Sequence, residues 1–170
     1  EVTLTRNYEM ALGNYPLSTI GDIIAGFEAG TIVPNSPIRV KGILTGSSKD
    51  SAFWIQDATG GMNIYVSDKN LRPIFATYEH GIEIEITGFY DNYNGLHEIY
   101  NFTANTYKIT NTQPNLPDSI EISDLPFTEE ELLEYHGELV KLTGLTITQI
   151  EQDSYGTFDI TLLNETTEVV

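Results

Sequence analysis

The segment from Ala52 to Val66 constrains the fold more than any other part of the chain. It reads Ala-Phe-Trp-Ile-Gln-Asp-Ala-Thr-Gly-Gly-Met-Asn-Ile-Tyr-Val, with apolar residues alternating on both sides of an Asp-Ala-Thr-Gly-Gly turn. A period of two predicts two antiparallel strands that share one buried face. Gly60 and Gly61 supply the positive φ angles of a tight hairpin connection and so fix the register of the pair. The expected core residues are Phe53, Ile55, Met62, Ile64 and Val66.

The opposite face of this predicted hairpin carries Trp54, Gln56, Asn63 and Tyr65. Flat aromatic rings stack on nucleic-acid bases and on sugar rings, so this face is a candidate binding platform. Outward aromatic side chains also pack under loops or against other domains. The pattern alone leaves both interpretations open.

Three further segments alternate in the same way: Ile38 to Gly46, Gly81 to Tyr90 and Leu96 to Phe102, which Thr106 to Ile109 could continue. The second predicts Ile82, Ile84 and Ile86 inside the fold and Glu83, Glu85 and Thr87 outside. Five strands with almost no helix bury a common face most economically by closing into a barrel. Glycines inside the strands, Gly42 and Gly88, mark the expected bends. The predicted class is all-β, with a five-stranded OB-fold barrel.

A short helix precedes the barrel, over Ile20 to Phe27. Ser18 or Thr19 is the expected N-cap, and Gly26 or Gly30 is the expected stop. Composition divides the rest of the chain into an N-terminal arm over 1–17, the OB-fold domain over 18–110, a proline-containing linker over 111–119 and a second OB-like unit over 120–170.

The second unit echoes the first. Ile122-Ser-Asp-Leu resembles Ile20-Gly-Asp-Ile, Val140-Lys resembles Val40-Lys, and Phe158-Asp-Ile resembles Phe53-Trp-Ile. A diverged tandem copy is the simplest interpretation. Asp159 stands where the first copy has Trp54, so the platform is not repeated.

Only two strands, over 137–148 and 156–163, are predicted in this second copy, and two strands alone are marginal in water. We therefore expect an incomplete barrel with an exposed strand edge. It would be completed by sequence beyond Val170, or by a segment such as Val2 to Thr5 from this or a neighbouring chain.

The net charge is −17, and it is unevenly placed. Residues 18–110 carry ten acidic and six basic residues, whereas residues 111–170 carry thirteen acidic residues and a single lysine, Lys141. Affinity for phosphate comes mostly from Lys and Arg, so a nucleic-acid site is expected in the first part. No apolar run approaches the roughly 20 residues of a membrane span, which predicts no membrane insertion. The chain has no Cys, which excludes disulfides and thiolate metal sites.

The strand segments of residues 18–110 also resemble a known class of domain. Their order, with the Gln-Asp-Ala-Thr-Gly-Gly hairpin and a later Tyr-Asn-Gly-Leu turn, is similar to the OB-like modules of secreted or surface-attached bacterial nucleases and related lipoproteins. The resemblance implies an accessory module that binds nucleic acid or presents a substrate. It also implies an extracellular or cell-surface location and no catalytic role.

The sequence contains no familiar catalytic motif. His80, His97 and His136 show no metal-ligand spacing, and there is no phosphate loop, nucleophile elbow or Cys nucleophile. We therefore predict no enzymatic activity and no obligatory cofactor. Calcium at Asp57, Asp68 or Asp91 stays open, since hard oxygen ligands suit it.

Two function classes follow. The first is a binding module for single-stranded nucleic acid, held weakly, or for an oligosaccharide. The second is a structural module, in which tandem acidic β-domains act as spacers or as subunits of a surface layer or filament. The residues predicted to bind a ligand lie on the first three strands and on the loops around them: Arg39, Lys41, Lys49, Trp54, Gln56, Asn63, Tyr65, Tyr90 and Tyr93.

Overall fold

The structure is a computed structural model that describes residues 13–48, 51–122, 135–152, 154 and 158–164. Two helices are described, α1 (Ile20–Glu28) and α2 (Arg72–Phe75). The strands are β1 (Pro37–Ser48), β2 (Ala52–Asp57), β3 (Gly60–Tyr65), β4 (Glu83–Tyr93), β5 (Leu96–Tyr100), β6 (Tyr107–Asn111), β7 (Ile120–Ile122), β8 (Val140–Leu142), β9 (Leu145–Gln152) and β10 (Phe158–Asn164).

Five strands close into a barrel in the order β1-β2-β3-β5-β4. The long strand β1 pairs with β2 through its second half and with β4 through its first half, and this double pairing closes the sheet. Strands β3 and β5 are parallel, and the other neighbours in the barrel are antiparallel. The all-β, OB-like barrel predicted from the sequence is therefore confirmed.

Strand β6 corrects one detail of the prediction. The segment after Thr106 does not continue the preceding strand but forms a strand of its own, which pairs with the first half of β4.

Gly42 lies where β1 comes close to β2. A Cβ on Gly42 would lie 3.0 Å from the carbonyl oxygen of Gln56, so glycine allows β1 to approach β2 closely. The register irregularity in this pair lies further on, between Leu44 and Gly46.

The barrel interior contains the residues that the alternating pattern predicted. Phe53, Ile55, Ile64, Ile84 and Ile86 are all buried in one hydrophobic cluster. An aromatic group closes the end of the barrel near α2, where the Phe75 ring lies between 5.1 and 5.4 Å from four other aromatic rings. Those rings belong to Phe53, Tyr78, Phe102 and Tyr107.

Helix α1 packs against the barrel through Ile20 and Ile23, which are fully buried. Thr19 is its N-cap, since its hydroxyl accepts a hydrogen bond from the Asp22 N–H at 3.1 Å. The helix ends at Glu28, and Gly30 follows with a φ of 72°, the left-handed geometry that favours glycine after a helix.

Two residues predicted to face outward from β4 are buried. Glu85 is on the outer side of the strand, but it is covered because Arg39 and Lys108 bind its carboxylate at 2.7 and 3.3 Å. Burial alone would raise the pKa of Glu85, yet the hydrogen bonds from Arg39 and Lys108 outweigh it and hold that pKa below its ordinary value. Thr87 is also buried, and its backbone N–H donates to the Thr106 carbonyl.

The region after residue 119 contains two small sheets. Strands β7 and β8 are parallel, and their pairing of Ile120 with Val140 matches the bridge between Ser18 and Val40 in the first part of the chain. The hydrogen bonds match as well: Ser18 N–H donates to the Arg39 carbonyl, and Ile120 N–H donates to the Leu139 carbonyl. This one pairing is shared by the two regions, and the tandem second copy stays a prediction.

Strands β9 and β10 form an antiparallel hairpin with one apolar face. The register shift between Thr161 and Leu162 places Ile147 opposite Leu162 and keeps it on the same face as Ile150. The large side chains of this face are more than two-fifths exposed: Ile147, Ile150, Phe158, Ile160 and Leu162.

Candidate functional site

A row of aromatic residues crosses the outside of the barrel. Tyr65 of β3 lies directly opposite Tyr100 of β5, which lies opposite Phe89 of β4. We call these three residues the aromatic row. The Phe89 and Tyr100 rings are 6.3 Å apart between centroids, Tyr65 is 38% exposed, and the other two side chains are partly exposed. The Tyr100 hydroxyl donates to Asn35 Oδ1 at 2.6 Å, which fixes its ring.

Trp54 lies on the same outer surface, one row away. It is partly exposed and stands opposite Asn63, which in turn stands opposite Glu98. The predicted outward positions of Trp54 and Tyr65 agree with the structure.

Gln56 and Asn63 share that outer face, but their side chains are buried, with 5% and 2% exposure. The expectation that both are available to a ligand is therefore corrected. The Leu139 N–H donates to Gln56 Oε1 at 2.8 Å, because the turn before β8 packs on this end of β2. Asn63 Nδ2 donates to the Phe53 carbonyl at 3.1 Å.

The predicted basic contacts do not gather at the platform. Arg39 donates twice to Glu85, and Lys41 binds Glu83 at 3.1 Å, so both cations face carboxylates of β4. The alternation of β1 correctly predicted that Arg39 and Lys41 share one face of the strand, but it did not predict that carboxylates of β4 bind them. Lys49 lies outside the described residues.

Tyr90 and Tyr93 were predicted together on the barrel rim, and the structure separates them. Tyr93 is 63% exposed at the end of β4. Tyr90 is fully buried in the core, which contradicts its predicted place, because the parity of β4 turns it inward with Ile84 and Ile86. Burial raises the pKa of Tyr90 to about 12.

A second surface feature is a cleft of about 540 Å³ at the end of the barrel next to α1. We call it the histidine cleft. Its walls are α1, the β2–β3 turn, the start of β5 and the turn at 136–138. The residues that line it are Gly21, Ile24, Ala25, Glu28, Thr59, Gly60, Gly61, Gly95, His97, His136 and Glu138.

Two imidazoles meet in this cleft, one from the barrel and one from the turn before β8. The rings of His97 and His136 are 5.8 Å apart between centroids and tilted by 45°. Burial lowers the pKa of both side chains, and the nearby His136 lowers that of His97 further, against the opposing charge of Glu28. Both rings are therefore neutral at pH 7.

One nitrogen of the His97 ring is hydrogen-bonded to a buried tyrosine. His97 Nδ1 is 2.7 Å from the Tyr90 hydroxyl. The hydroxyl donates to Nδ1 when the His97 proton is on Nε2, and accepts from Nδ1–H in the other tautomer.

The turn at 135–139 is held tightly on the barrel. A Cβ on Gly61 would overlap the Gly137 carbonyl group, and a Cβ on Gly137 would lie 2.8 Å from the Gly61 carbonyl carbon. Two glycines therefore allow the backbones to touch. Burial raises the pKa of Glu138, and the charge of Asp57 adds to that rise.

The described residues form neither a metal-ligand cluster nor a membrane-spanning helix. No three of their His, Asp or Glu side chains gather as metal ligands. Within that part of the chain, no helix has the length and apolar character needed to cross a bilayer. Calcium at Asp57, Asp68 or Asp91 remains a prediction.

Sequence reasoning missed the histidine cleft and two members of the aromatic row. Phe89 and Tyr100 could have been found, since each occupies an outward position of an alternating strand. Their meeting with Tyr65 depends on the parallel pairing of β3 with β5, which no local pattern specifies. The cleft depends on the docking of residues more than 35 positions apart.

The chain is similar to part of one curated protein. No protein-family model matches the chain. The Bacillus subtilis (strain 168) protein "Endonuclease YhcR" is 29% identical over 143 residues, a match that covers 77% of this chain and 11% of that protein. The chain thus spans about a tenth of the length of this curated relative.

Two solved structures are similar to part of the chain. One is the hypothetical protein ygiW from E. coli, with a TM-score of 0.43 and 16% identity over 59% of this chain and 97% of that one. The other is the asparaginyl-tRNA synthetase of Entamoeba histolytica, with a TM-score of 0.41 and 16% identity over 58% of this chain and 24% of that one.

Proposed function

We propose that the barrel is a non-catalytic module that binds single-stranded nucleic acid, weakly, through the outer surface carrying the aromatic row and Trp54. In this proposal it works outside the cell or at the cell surface and presents the strand to an attached nuclease. The aromatic row carries the proposal. The distant similarity to an endonuclease, limited to a small part of that protein, supports a nucleic-acid-related role.

Bases rather than phosphates are the groups this surface suits. Stacking on an aromatic side chain contributes about 1–3 kcal/mol per base and needs no cation. Arg39 and Lys41 are already engaged by Glu85 and Glu83, so few counterions would be released on binding. The affinity should therefore change little with salt concentration, unlike that of a protein that neutralises many phosphates.

The test is fluorescence anisotropy of a labelled single-stranded oligonucleotide at several salt concentrations. Tyr100→Ala and Trp54→Ala should each weaken binding by about tenfold, the lower part of the stacking range. Phe158→Ala is the matched control, since it removes an exposed aromatic ring from the β9–β10 hairpin. Equal affinities for the wild type and Tyr100→Ala would reject the proposed binding surface. Cleavage of the oligonucleotide by the purified chain in the presence of Mg²⁺ or Ca²⁺ would reject the proposal that the module is non-catalytic.

An oligosaccharide is the second candidate ligand. Asp91 and Glu98 lie opposite one another in the row next to the aromatic residues, and burial together with the Asp91 charge raises the pKa of Glu98. This local negative charge disfavours phosphate but accepts hydrogen bonds from sugar hydroxyls. Preferential binding of a neutral oligosaccharide in the same assay, lost in Tyr100→Ala, would move the ligand to this class.

An assembly role rests on a different surface. The apolar face of the β9–β10 hairpin is exposed, and exposed apolar strands promote association. A molar mass, measured by light scattering without any ligand, that increases with protein concentration would favour this role.

A further inference from the structure

The histidine cleft is chemically distinct from the aromatic row. Four of its lining residues are glycines, so flat backbone surfaces stand where side chains would otherwise project. Ile24 and Ala25 add an apolar wall, and the rings of His97 and His136 add two neutral aromatic surfaces. A cleft of this volume falls in the ordinary range for small-molecule sites, and its walls suit a planar group.

The cleft does not suit an anion, although it lies beside the first turn of α1. The first N–H groups of that helix are already occupied: Ile20 donates to Asp57 Oδ2, and Gly21 donates to Thr59 Oγ1, each at 2.8 Å. The charged groups around the cleft are carboxylates, from Asp57, Glu28 and Glu138. A phosphate placed here would meet negative charge and no free helix donor.

The same carboxylates suit a ligand that donates N–H groups. Within the described residues, no lysine or arginine forms an ion pair with Glu28 or Glu138. Glu28 is exposed at one wall and Glu138 is partly buried at another. A buried carboxylate gains from a hydrogen-bond donor, and an N–H donor bonded to an ionised acceptor is one of the stronger pairings in proteins.

We propose that the histidine cleft binds a single unstacked nucleobase that carries an exocyclic amine, that is adenine, cytosine or guanine, with its sugar and phosphate outside. The heterocycle lies against the imidazoles and the glycine backbone, and its amine donates to Glu28 or Glu138. His97 Nδ1 is engaged by the Tyr90 hydroxyl, so Nε2 is the His97 nitrogen left to bind a ring nitrogen, carbonyl or N–H of the base. This inference rests on the proposed nucleic-acid function, and it adds a site that selects among bases to one that only stacks them.

The experiment uses nucleosides, which lack phosphate, and follows the imidazole Cε1–H signals of the three histidines by NMR. Cytidine is compared with uridine and adenosine with inosine, because in each pair a carbonyl replaces the exocyclic amine and the adjacent ring nitrogen gains a proton. We expect cytidine and adenosine to shift the His97 and His136 signals and not that of His80, which is exposed elsewhere. Loss of the amine should weaken binding by roughly tenfold, the effect of losing one hydrogen bond to a charged group.

Matched variants locate the site. Glu138→Gln and His136→Ala should each weaken cytidine binding by about tenfold or more, whereas Glu79→Gln and His80→Ala, changes at exposed residues outside the cleft, should leave it unchanged. Glu28→Gln serves as a second carboxylate variant should Glu138→Gln disturb the turn. Weaker cytidine binding by Glu138→Gln or Glu28→Gln, with unchanged binding by Glu79→Gln and His80→Ala, supports the proposal.

Several results would overturn it. They are equal binding of uridine and cytidine, no response to any nucleoside at millimolar concentration, or a response to Zn²⁺ or spermidine alone, which would make the cleft a cation site. Failure of the proposed function looks different. If oligonucleotides do not bind but cytidine does, the aromatic row fails as a platform and the cleft stands. If oligonucleotides bind through Tyr100 while His136→Ala has no effect on any ligand, the cleft fails alone.

Discussion

Replacing Gly61 by Ala should release the turn at 135–139 from the barrel. The added Cβ would overlap the backbone carbonyl of Gly137. A Cβ has a fixed position on its Cα and the carbonyl belongs to the backbone, so neither can rotate away. Gly61 lies in β3 without a positive φ, which means that alanine is not strained by its own backbone conformation. The whole effect therefore comes from the contact between the two segments.

The size of the effect follows from the contacts that would be lost. The Leu139 N–H to Gln56 Oε1 hydrogen bond contributes about 0.5–1.5 kcal/mol. The ring contact between His97 and His136 adds about 0.5–1.5 kcal/mol. If the turn stays docked instead, overpacking costs about 1–3 kcal/mol. Both outcomes predict a loss of about 1–3 kcal/mol in the free energy of unfolding.

Two measurements separate these outcomes. Urea unfolding followed by Trp54 fluorescence gives the change in stability, and NMR titration gives the pKa of His97. Burial and the nearby His136 now lower that pKa, so it should rise toward its ordinary value of 6.5 when the turn leaves. Gly46→Ala is the matched control, because a Cβ at this position of β1 would meet nothing within 4 Å.

The reasoning fails if Gly61→Ala and Gly46→Ala behave alike. Equal unfolding midpoints and an unchanged His97 pKa would mean that the Gly61–Gly137 contact does not form in solution. The histidine cleft would then lose one of its walls.

Two further predictions concern ionisable groups. Because the pKa values of His97 and His136 are lower in the folded than in the unfolded state, their contribution to stability is full above about pH 6.5 and is lost as the pH falls through their folded values. The folded pKa of Glu138 is raised, so its contribution has the opposite sign and partly compensates as the pH falls through that pKa. The free energy of unfolding, measured with urea, should therefore fall from pH 7 to pH 5, and His136→Ala should make this fall smaller. A free energy of unfolding that does not change with pH would contradict the burial of the two imidazoles. Glu85→Gln leaves Arg39 without its buried partner and should lower the free energy of unfolding by about 3 kcal/mol. Glu83 forms a more exposed pair with Lys41, so Glu83→Gln should lower it by less than about 1 kcal/mol. Similar losses in the two variants would contradict this difference.

Alternation was enough to predict the barrel, because strands that bury one face repeat every two residues. Ile84 and Ile86 could be placed inside, and Trp54 and Tyr65 outside, without knowing any strand pairing. The same pattern gave the correct side for Glu85 and Gln56 but not their burial. Period two tells which side of a strand a residue occupies, but the partner covering that side comes from elsewhere: Arg39 and Lys108 for Glu85, and Leu139 for Gln56.

Tyr90 shows the opposite error. Asp91 and Asn92 follow it in sequence and favour a loop, so sequence reasoning places Tyr90 on the rim. The strand β4 instead continues to Tyr93, and the inward parity that begins at Ile84 reaches Tyr90 unchanged. A long strand buries an aromatic residue near its end when a helix covers that end, and here the Phe27 ring of α1 lies 5.4 Å from the Tyr90 ring.

The placement of charges decides what kind of recognition this barrel can perform. Three basic side chains of its surface, Arg39, Lys41 and Lys108, are each bound to a carboxylate of β4. Two carboxylates without a basic partner among the described residues lie at the candidate sites, Asp91 beside the aromatic row and Glu138 in the histidine cleft. A ligand is therefore met by rings and hydrogen-bond acceptors rather than by cations. If the proposed binding role holds, such a surface should favour exposed bases or sugars over duplexes, whose bases are hidden and whose outer surface is phosphate.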